Sequence, residues 1–351
     1  MALTTVHSGK EARLFIAQET AFGTPKSDAT AWGASNADGV IALQLTGDPS
    51  PVDVGGVIRD STIRAHGQRV KKNTDIYISR DGAVFTMPFE VIPTLDDIDF
   101  LLFSVMQDIE SESDSGTYER IFTIDRDTTQ PDFGADGGKF LTVTLDDPIA
   151  SENDQLTSAI ISELTLSSDP GTNGGRMTAS GTFFSGFDYS HDNNLAPAAA
   201  IVPDTHYFNH SLLQTKTIGG TTVVVNSWSL TINNNAQRVG SDTSGDAQSY
   251  AIGVPEYTVT GELNVKYDSV TKDMLDTFLA GTDTIIILNY GSASSEGFLQ
   301  FTVNASFTGH TKDFGGDAGM FLSIPFEAVD DGTNDALKVE MDNSLNRAWI
   351  S

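Results

Sequence analysis

The sequence contains no cysteine. Disulfides, cysteine-based zinc sites and thiol nucleophiles are therefore excluded, and the fold must be stabilised by burial and association. The chain also lacks the run of about 18 apolar residues that spans a bilayer. Its first ten residues have neither the charged head nor the apolar stretch of a signal peptide. We therefore expect synthesis in the cytoplasm and no membrane insertion.

Basic residues are scarce. The chain has 20 Lys and Arg against 48 Asp and Glu, a net charge of −28. Because cations supply affinity for phosphate, an adhesive nucleic-acid-binding surface is improbable. Two interpretations stay open: a surface that keeps an anionic molecule from sticking, or a charged surface that only solubilises. The one basic concentration lies between residues 59 and 80 and contains Arg59, Arg64, Arg69, Lys71, Lys72 and Arg80.

Most of the chain has the alternating, β-branched or aromatic pattern of strands, separated by clusters of Gly, Asn, Asp and Ser. Two helices are predicted, over residues 95–106 and 270–279. The second has a cap at Asp268 or Ser269 and Gly281 just past its end. Its apolar residues fall on one face: Val270, Met274, Leu275, Phe278 and Leu279. The predicted fold class is mainly β.

Two parts of the chain repeat. A strand and its following helix recur without a gap at an offset of 174, so that Phe89 aligns with Leu263 (263 − 89). A Gly-rich hairpin also recurs, leading from Leu164 to Phe183 and from Phe307 to Phe326. We therefore predict two tandem copies of one domain. The predicted bounds are 1–39 for an N-terminal arm, 40–190 and 222–343 for the copies, 191–221 for the linker and 344–351 for a C-terminal tail.

Several patterns resemble catalytic or phosphate-binding motifs, and each lacks a required part. Residues 134–139 end in Gly-Gly-Lys, but the glycine spacing is one short of a phosphate loop and Phe140 replaces the metal-binding Ser or Thr. Residues 313–315 match a kinase triplet without a catalytic-loop signature. No nucleophile arrangement of a hydrolase is found. We predict a protein that is not an enzyme and needs no cofactor.

Two patterns could bind a metal ion. His206 and His210 have the spacing of ligands on one helix face, but they lie in a linker-like segment without an adjacent carboxylate pair. Four loop carboxylates could collect calcium, but the glycine and terminal glutamate of a helix-loop-helix site are missing. These four are Asp125, Asp127, Asp132 and Asp136. Solvated side chains explain both patterns better, and we predict no metal site.

Three segments, in this order, resemble the tail tube proteins of siphophages. Residues 12–25, ARLFIAQETAFGTP, look like the family's opening I-x-x-E-T-x-x-G-T-P stretch. Residues 228–234 and 257–263 are similar to its S-L-T-I-D-N and V-T-G-x-L core. Residues 325–328, PFEA, resemble its closing strand. The resemblance covers nearly the whole chain.

The resemblance implies a β-sandwich or half-barrel flanked by a helix, with one sheet contributed to a barrel around the bore of a tube. Single-domain members form hexameric rings, so a tandem chain needs three copies for a pseudo-hexameric ring. The implied location is the virion tail, after synthesis in the host cytoplasm. The implied partners are further copies of the chain, the tail terminator, tail tip and tape measure proteins, and double-stranded DNA that passes without specific binding.

Two surface assignments extend this expectation. Side chains alternate along a strand, so the polar face of residues 258–264 points away from the core, and Thr258, Thr260, Glu262 and Asn264 are predicted to face the lumen. The basic concentration from Arg59 to Arg80 is predicted to dock on an acidic neighbouring subunit between stacked rings. The alternatives are a tail-tip protein of the same fold and a secreted β-sandwich adhesin or carbohydrate-binding module.

Overall fold

The computed structural model describes residues 12–26, 40–54, 58–60, 77–79, 84–114, 118–124, 140–147, 153–192, 195, 205–240, 251–292, 297–314 and 319–343. Within them the fold is mainly β, as the sequence predicts. The first half contains eleven strands and one helix: β1 Arg13–Gln18, β2 Val40–Leu43, β3 Ile58–Asp60, β4 Tyr77–Ser79, β5 Phe85–Val91, α1 Ile98–Met106, β6 Gln107–Asp114, β7 Tyr118–Ile124, β8 Leu141–Asp146, β9 Asn153–Ser168, β10 Thr178–Ser185 and β11 Asp188–Asp192.

The second half contains eleven further strands and one helix: β12 Leu213–Ile218, β13 Thr221–Thr222, β14 Val225–Asn233, β15 Gln237–Val239, β16 Ala251–Gly253, β17 Thr258–Lys266, α2 Met274–Ala280, β18 Thr284–Tyr290, β19 Phe298–Phe307, β20 Thr311–Asp313, β21 Phe321–Ala328 and β22 Leu337–Asn343. Eighteen of the described strands form one hydrogen-bonded network, while β3 with β4 and β15 with β16 form separate hairpins.

The two helices end at equivalent positions. The residue after α1 is Gln107, with φ of 69°, and the residue after α2 is Gly281, with φ of 60°. Both stop their helix in the left-handed conformation that caps many helices. The second helix begins later than predicted, because the Asp268 carboxylate accepts hydrogen bonds from the backbone N–H of Val270 and Thr271 and holds them in a preceding turn.

Strand pairing repeats between the halves. β5 pairs with β10 so that Met87 lies opposite Phe183, and β17 pairs with β21 so that Gly261 lies opposite Phe326. These are the positions aligned by the sequence offsets. The hairpins β8–β9 and β18–β19 also correspond, as do β1 beside β8 and β12 beside β18. β1 lies within the predicted arm and β12 within the predicted linker, so sheet pairing extends into both segments.

The halves are joined by a shared sheet, defined here as the strands β5, β10, β9, β14, β17 and β21 in spatial order. The joint is the antiparallel pair β9–β14, which runs from Ser168 opposite Trp228 to Glu163 opposite Asn233. One apolar core cluster contains residues of both halves, including Phe183, Trp228 and Tyr290. Burial raises the pKa of Tyr290 to about 12, and its hydroxyl oxygen accepts a hydrogen bond from the Trp228 indole N–H at 3.1 Å.

The first half has a hairpin that the second lacks in its described part. β6 follows α1 directly, and β7 pairs with the last described strand, β22. A fully buried polar cluster holds this arrangement together. The Arg120 guanidinium donates to the Asn343 Oδ1 at 2.5 Å and lies 3.8 Å from the Asp99 carboxylate of α1. The Asn343 amide in turn donates to Asp99 at 3.2 Å.

Candidate functional site

The open face of the shared sheet, meaning the side opposite the core, is the candidate functional surface. Along β17 the core side holds Val259, Leu263 and Val265, all buried, while the side chains between them are exposed or half-buried. The four residues predicted to face a lumen, Thr258, Thr260, Glu262 and Asn264, all lie on this open face. The alternation expected from the sequence is therefore present, and the lumen assignment itself stays a prediction.

Hydroxyl side chains continue across the open face from strand to strand. Successive strand pairings align one row of residues nearly perpendicular to the strands: Glu90, Ser180, Thr165, Thr231, Thr260 and Glu327. The Thr165 and Thr231 hydroxyl oxygens are 2.8 Å apart across the joint between the halves. In the next row, the Ser167 and Thr178 hydroxyl oxygens are also 2.8 Å apart. The face thus presents small groups that are already hydrogen-bonded to each other.

The charges on this face are almost all negative. Two of the carboxylates accept hydrogen bonds from neutral groups: Glu163 accepts from the Asn233 amide at 3.1 Å, and Glu262 accepts from the Ser323 hydroxyl at 2.6 Å. Glu90 and Glu327 are exposed at the two ends of the first row. Among the described open-face residues of the six strands the single cation is Lys266, at the end of β17. Such a face offers a polyanion few sites for binding.

The sequence predicts a lumen-facing role for the polar face of β17 only, whereas the open face also includes five other strands. The same signal was present in β14, where Ser227, Ser229 and Thr231 alternate with buried residues. What the sequence does not contain is the lateral order of the strands. The lateral order of the strands joins the polar faces of six strands into one surface. The two halves of this surface meet because β9 of the first half pairs with β14 of the second half.

Each lateral end of the shared sheet is flanked by a short segment, and the outer side of that segment is the open edge within the described chain. At the β5 end, residues 44–54 run alongside and touch β5 through isolated bridges, Leu45 with Val91 and Asp53 with Thr86. At the β21 end, the last residues of β19 and the short β20 lie alongside β21. Unpaired sheet edges are templates for pairing with another chain.

The two histidines that have the spacing of metal ligands lie in the described chain, and His210 contacts protein groups. The two ring nitrogens of His210 are 3.0 Å from the Ser168 hydroxyl and 3.4 Å from the Val225 carbonyl, so the ring bridges β9 and β14. Burial lowers the pKa of His210. No group of three metal-ligating side chains occurs in the described parts of the chain. The four candidate calcium carboxylates at 125–136 and the Gly-rich segment 134–139 lie outside the described residues.

The basic concentration is described only in part. Its first member, Arg59, belongs to β3, which pairs with β4 in a separate hairpin. Arg64, Arg69, Lys71, Lys72 and Arg80 lie outside the described residues. The role predicted for them therefore stays a prediction. No helix in the described part of the chain is long and apolar enough to cross a membrane.

A buried carboxylate explains the opening motif of the sequence. Glu19, within the E-T-x-x-G-T-P stretch, accepts hydrogen bonds from the Ser158 N–H at 2.8 Å, the Ser158 hydroxyl at 2.7 Å and the Thr142 hydroxyl at 2.9 Å. Gly23 N–H donates to the Ser158 hydroxyl at 2.7 Å, with a φ of 75° that favours glycine. The motif therefore fastens the N-terminal segment to β8 and β9.

The family model described as phage tail tube protein matches residues 9–328. The chain belongs to this family. A tail tube protein is a structural subunit of the virion tail, which agrees with the sheet edges that are open within the described residues. No match to a curated protein was found.

Proposed function

We propose that three copies of this tail tube protein form a pseudo-hexameric ring, and that stacked rings enclose a lumen through which DNA passes. The observation that carries the proposal is the β9–β14 joint. In the spatial order of the shared sheet, β9 is the outermost strand of the first half and β14 is the outermost strand of the second half, and the two pair with each other. The equivalent outer segments are β19 with β20 at one end and residues 44–54 at the other, and each has an open side among the described residues.

The same joint repeated between chains continues the sheet around a ring. Each half then acts as one copy of a four-strand unit, in line with the proposed copies at 40–190 and 222–343. Three chains supply about 24 strands, and with a strand spacing of about 4.8 Å and a tilt of about 40° a closed barrel of that size is about 48 Å in backbone diameter. That diameter leaves room for a DNA duplex inside the side chains.

The open face of the shared sheet would line this bore. Hydroxyls that hydrogen-bond to one another, as Thr165 and Thr231 do, leave few donors for phosphate oxygens. The carboxylates of Glu163 and Glu262 repel the DNA backbone, which has about one charge per 1.7 Å of duplex. In this proposal the lumen wall includes Thr258, Thr260, Glu262 and Asn264, and DNA passes along it without binding.

The ring is tested by negative-stain microscopy and mass measurement of the purified protein. We expect hollow rings or tubes, and isolated rings with three times the chain mass of 37.5 kDa. Six chains per ring would overturn the trimer while leaving the tube in place. Rings that never stack into tubes, even at high protein concentration, would favour a tail-tip role instead.

Stacking of like-charged rings needs a complementary patch, and we propose that the basic residues from Arg59 to Arg80 provide it. Opposite charges at such a contact both offset repulsion and fix the register between rings. Replacing Arg64, Arg69, Lys71 and Lys72 with glutamate should leave circular dichroism and ring mass unchanged while abolishing tube growth. Tube growth at the parental rate across a range of salt concentrations would show that these residues only pair locally.

A further inference from the structure

The helices α1 and α2 end alike but differ in burial. All nine residues of α1 are buried, whereas Met274 is the one buried residue of α2. The contrast is largest at the equivalent pair Val105 and Leu279, which are 0% and 70% exposed. A single exposed apolar side chain is common on protein surfaces. Here the contrast with the covered equivalent position, Val105, raises the question of what covers Leu279.

Part of the cover on α1 comes from the second half of the chain. The buried Asn234 amide, just after β14, donates to the Val105 carbonyl at 3.3 Å and to the Ile161 carbonyl at 2.8 Å. The Tyr257 hydroxyl donates to the Met106 carbonyl at 3.2 Å. Thus the end of β14, which forms the joint with β9, also closes over the last turn of α1.

The equivalent of the end of β14 in the first half is the segment that ends at Val54. Asp53 bridges to Thr86, and Thr231 pairs with Thr260. Because Thr86 and Thr260 are equivalent, Asp53 corresponds to Thr231 and Val54 to Ile232. Ile232 is fully buried, but Val54 is 39% exposed. The residues 44–54 and α2 belong to opposite ends of the shared sheet, so one chain does not bring them together.

We infer that the apolar face of α2, centred on Leu279, docks on a second copy of this chain against the segment ending at Val54. The contact gives Val54 a place beside α2 like the one that β14 has beside α1 within a chain. It is an apolar contact without the hydrogen bonds from Asn234 and Tyr257, because Gly56 and Ala83 stand at the equivalent positions. It rests on the proposed ring, and it adds a second interface on the core side of the sheet to the edge pairing of the strands. Two exposed apolar groups, Leu279 and Val54, become buried together.

Cysteine cross-linking tests this contact directly, because the chain has no cysteine of its own. We expect that a mixture of Leu279→Cys chains and Val54→Cys chains, assembled and treated with a short bis-maleimide, gives a covalent dimer that neither variant gives alone. The matched control pairs Leu279→Cys with Leu212→Cys, whose parent side chain is 48% exposed. That mixture should give no dimer. A chain with both Leu279→Cys and Val54→Cys should give a ladder that stops at three chains.

A second variant measures the energetic contribution of the contact. Leu279→Asp should keep its circular dichroism and thermal midpoint as a monomer, because the side chain is exposed, while the association constant between chains falls at least about tenfold. Undiminished association of this variant would overturn the inference.

The outcomes separate the inference from the proposed ring. Rings without the Leu279–Val54 cross-link would show that the ring exists and that α2 docks elsewhere. The cross-link without closed rings would keep the docking contact and refute the tube. Neither rings nor cross-link would overturn both.

Discussion

Gly181 and Gly261 each lie opposite a phenylalanine on a neighbouring strand of the shared sheet. Gly181 pairs with Phe89, and Gly261 pairs with Phe326. In each case the phenylalanine ring and a backbone carbonyl fill the space where a side chain would begin: Glu163 supplies the carbonyl for Gly181 and Ser229 for Gly261. Glycine is required at these positions because neighbouring atoms approach its Cα closely. Backbone conformation is not the reason, since neither glycine has a positive φ.

We expect Gly261→Ala to lower the free energy of unfolding by about 1–3 kcal/mol, since the added methyl must displace the buried Phe326 ring and a strand backbone. Urea unfolding of the monomer measures the change. Gly47→Ala is the matched control, because no atom lies within 4 Å of the place that its methyl group would occupy. Equal stability of both variants would show that the sheet opens at Gly261 without cost.

Glu19 predicts a specific pH dependence. Burial raises its pKa above the ordinary 4.5, although hydrogen bonds from Ser158 and Thr142 act in the opposite direction. The folded protein therefore holds this proton to a higher pH than the unfolded chain does. The stability that the protonated group contributes is fully present below pH 4.5 and is lost as pH rises through the folded-state pKa.

Glu19→Gln stays neutral at every pH, so its stability relative to the parent should increase as pH rises from about 4.5 towards 8. Urea unfolding at several pH values in this range measures the difference. Glu256→Gln, at an exposed position, serves as the matched control. A difference for Glu19→Gln that does not vary with pH would contradict the assignment.

Among the elements, the pairing of β7 with β22 and the buried cluster beneath it connect positions far apart in sequence. Asp99 and Asn343 are 244 residues apart, and Arg120 contacts both. A buried ion pair contributes little compared with apolar residues of the same volume. Removal of one partner is nevertheless costly, because the remaining charge is uncompensated. The cluster therefore makes the position of α1 depend on the end of the chain.

We expect Arg120→Leu to lower the free energy of unfolding by about 3–5 kcal/mol, because Asp99 then stays buried without its cation. The double variant Arg120→Leu, Asp99→Asn should recover part of the loss. Urea unfolding of both proteins and of Asp99→Asn alone completes the comparison. If the double variant were as unstable as the sum of the single variants, the two side chains would not interact.

At the scale of the whole molecule, the net charge opposes association between copies. A chain with a charge of −28 repels its copies, and salt screens this repulsion over about 10 Å at 0.1 M. In the proposed ring, the sheet edges and the α2 face would have to supply enough association to overcome this repulsion. In the proposed tube, the same sign of charge would keep DNA from the wall.

The bore prediction is tested by changing charge at two open-face positions, Glu163 and Glu262. Replacing both with lysine should leave ring mass unchanged and slow DNA release from virions that contain the variant tubes, because phosphate then finds cations along the wall. The matched control replaces both with glutamine, which removes charge without reversing it and should release DNA at close to the parental rate. Unchanged release from the lysine variant would place this face outside the lumen.

Local patterns in the sequence were sufficient for several elements. The alternation of β17 and the C-terminal ends of both helices depend on neighbours within a few residues, and the structure has them within one residue of the prediction. Both helices begin three or four residues later than predicted. The sequence also predicts the apolar face of α2, but an apolar face does not determine whether the helix is buried. Burial depends on what covers a helix, and the groups at the end of α1, such as Tyr257, come from more than a hundred residues away.

Composition, side-chain periodicity and local backbone preference are enough to specify a mainly β chain with an acidic composition and the family motif that contains Glu19. They do not specify that β9 and β14 pair or that the polar sides of six strands form one face. They also do not specify that α1 is fully buried while most of α2 is exposed or half-buried. Those features are set by the tertiary structure. Strand order and burial arise from contacts between distant segments, and a pattern within one segment does not specify its neighbour.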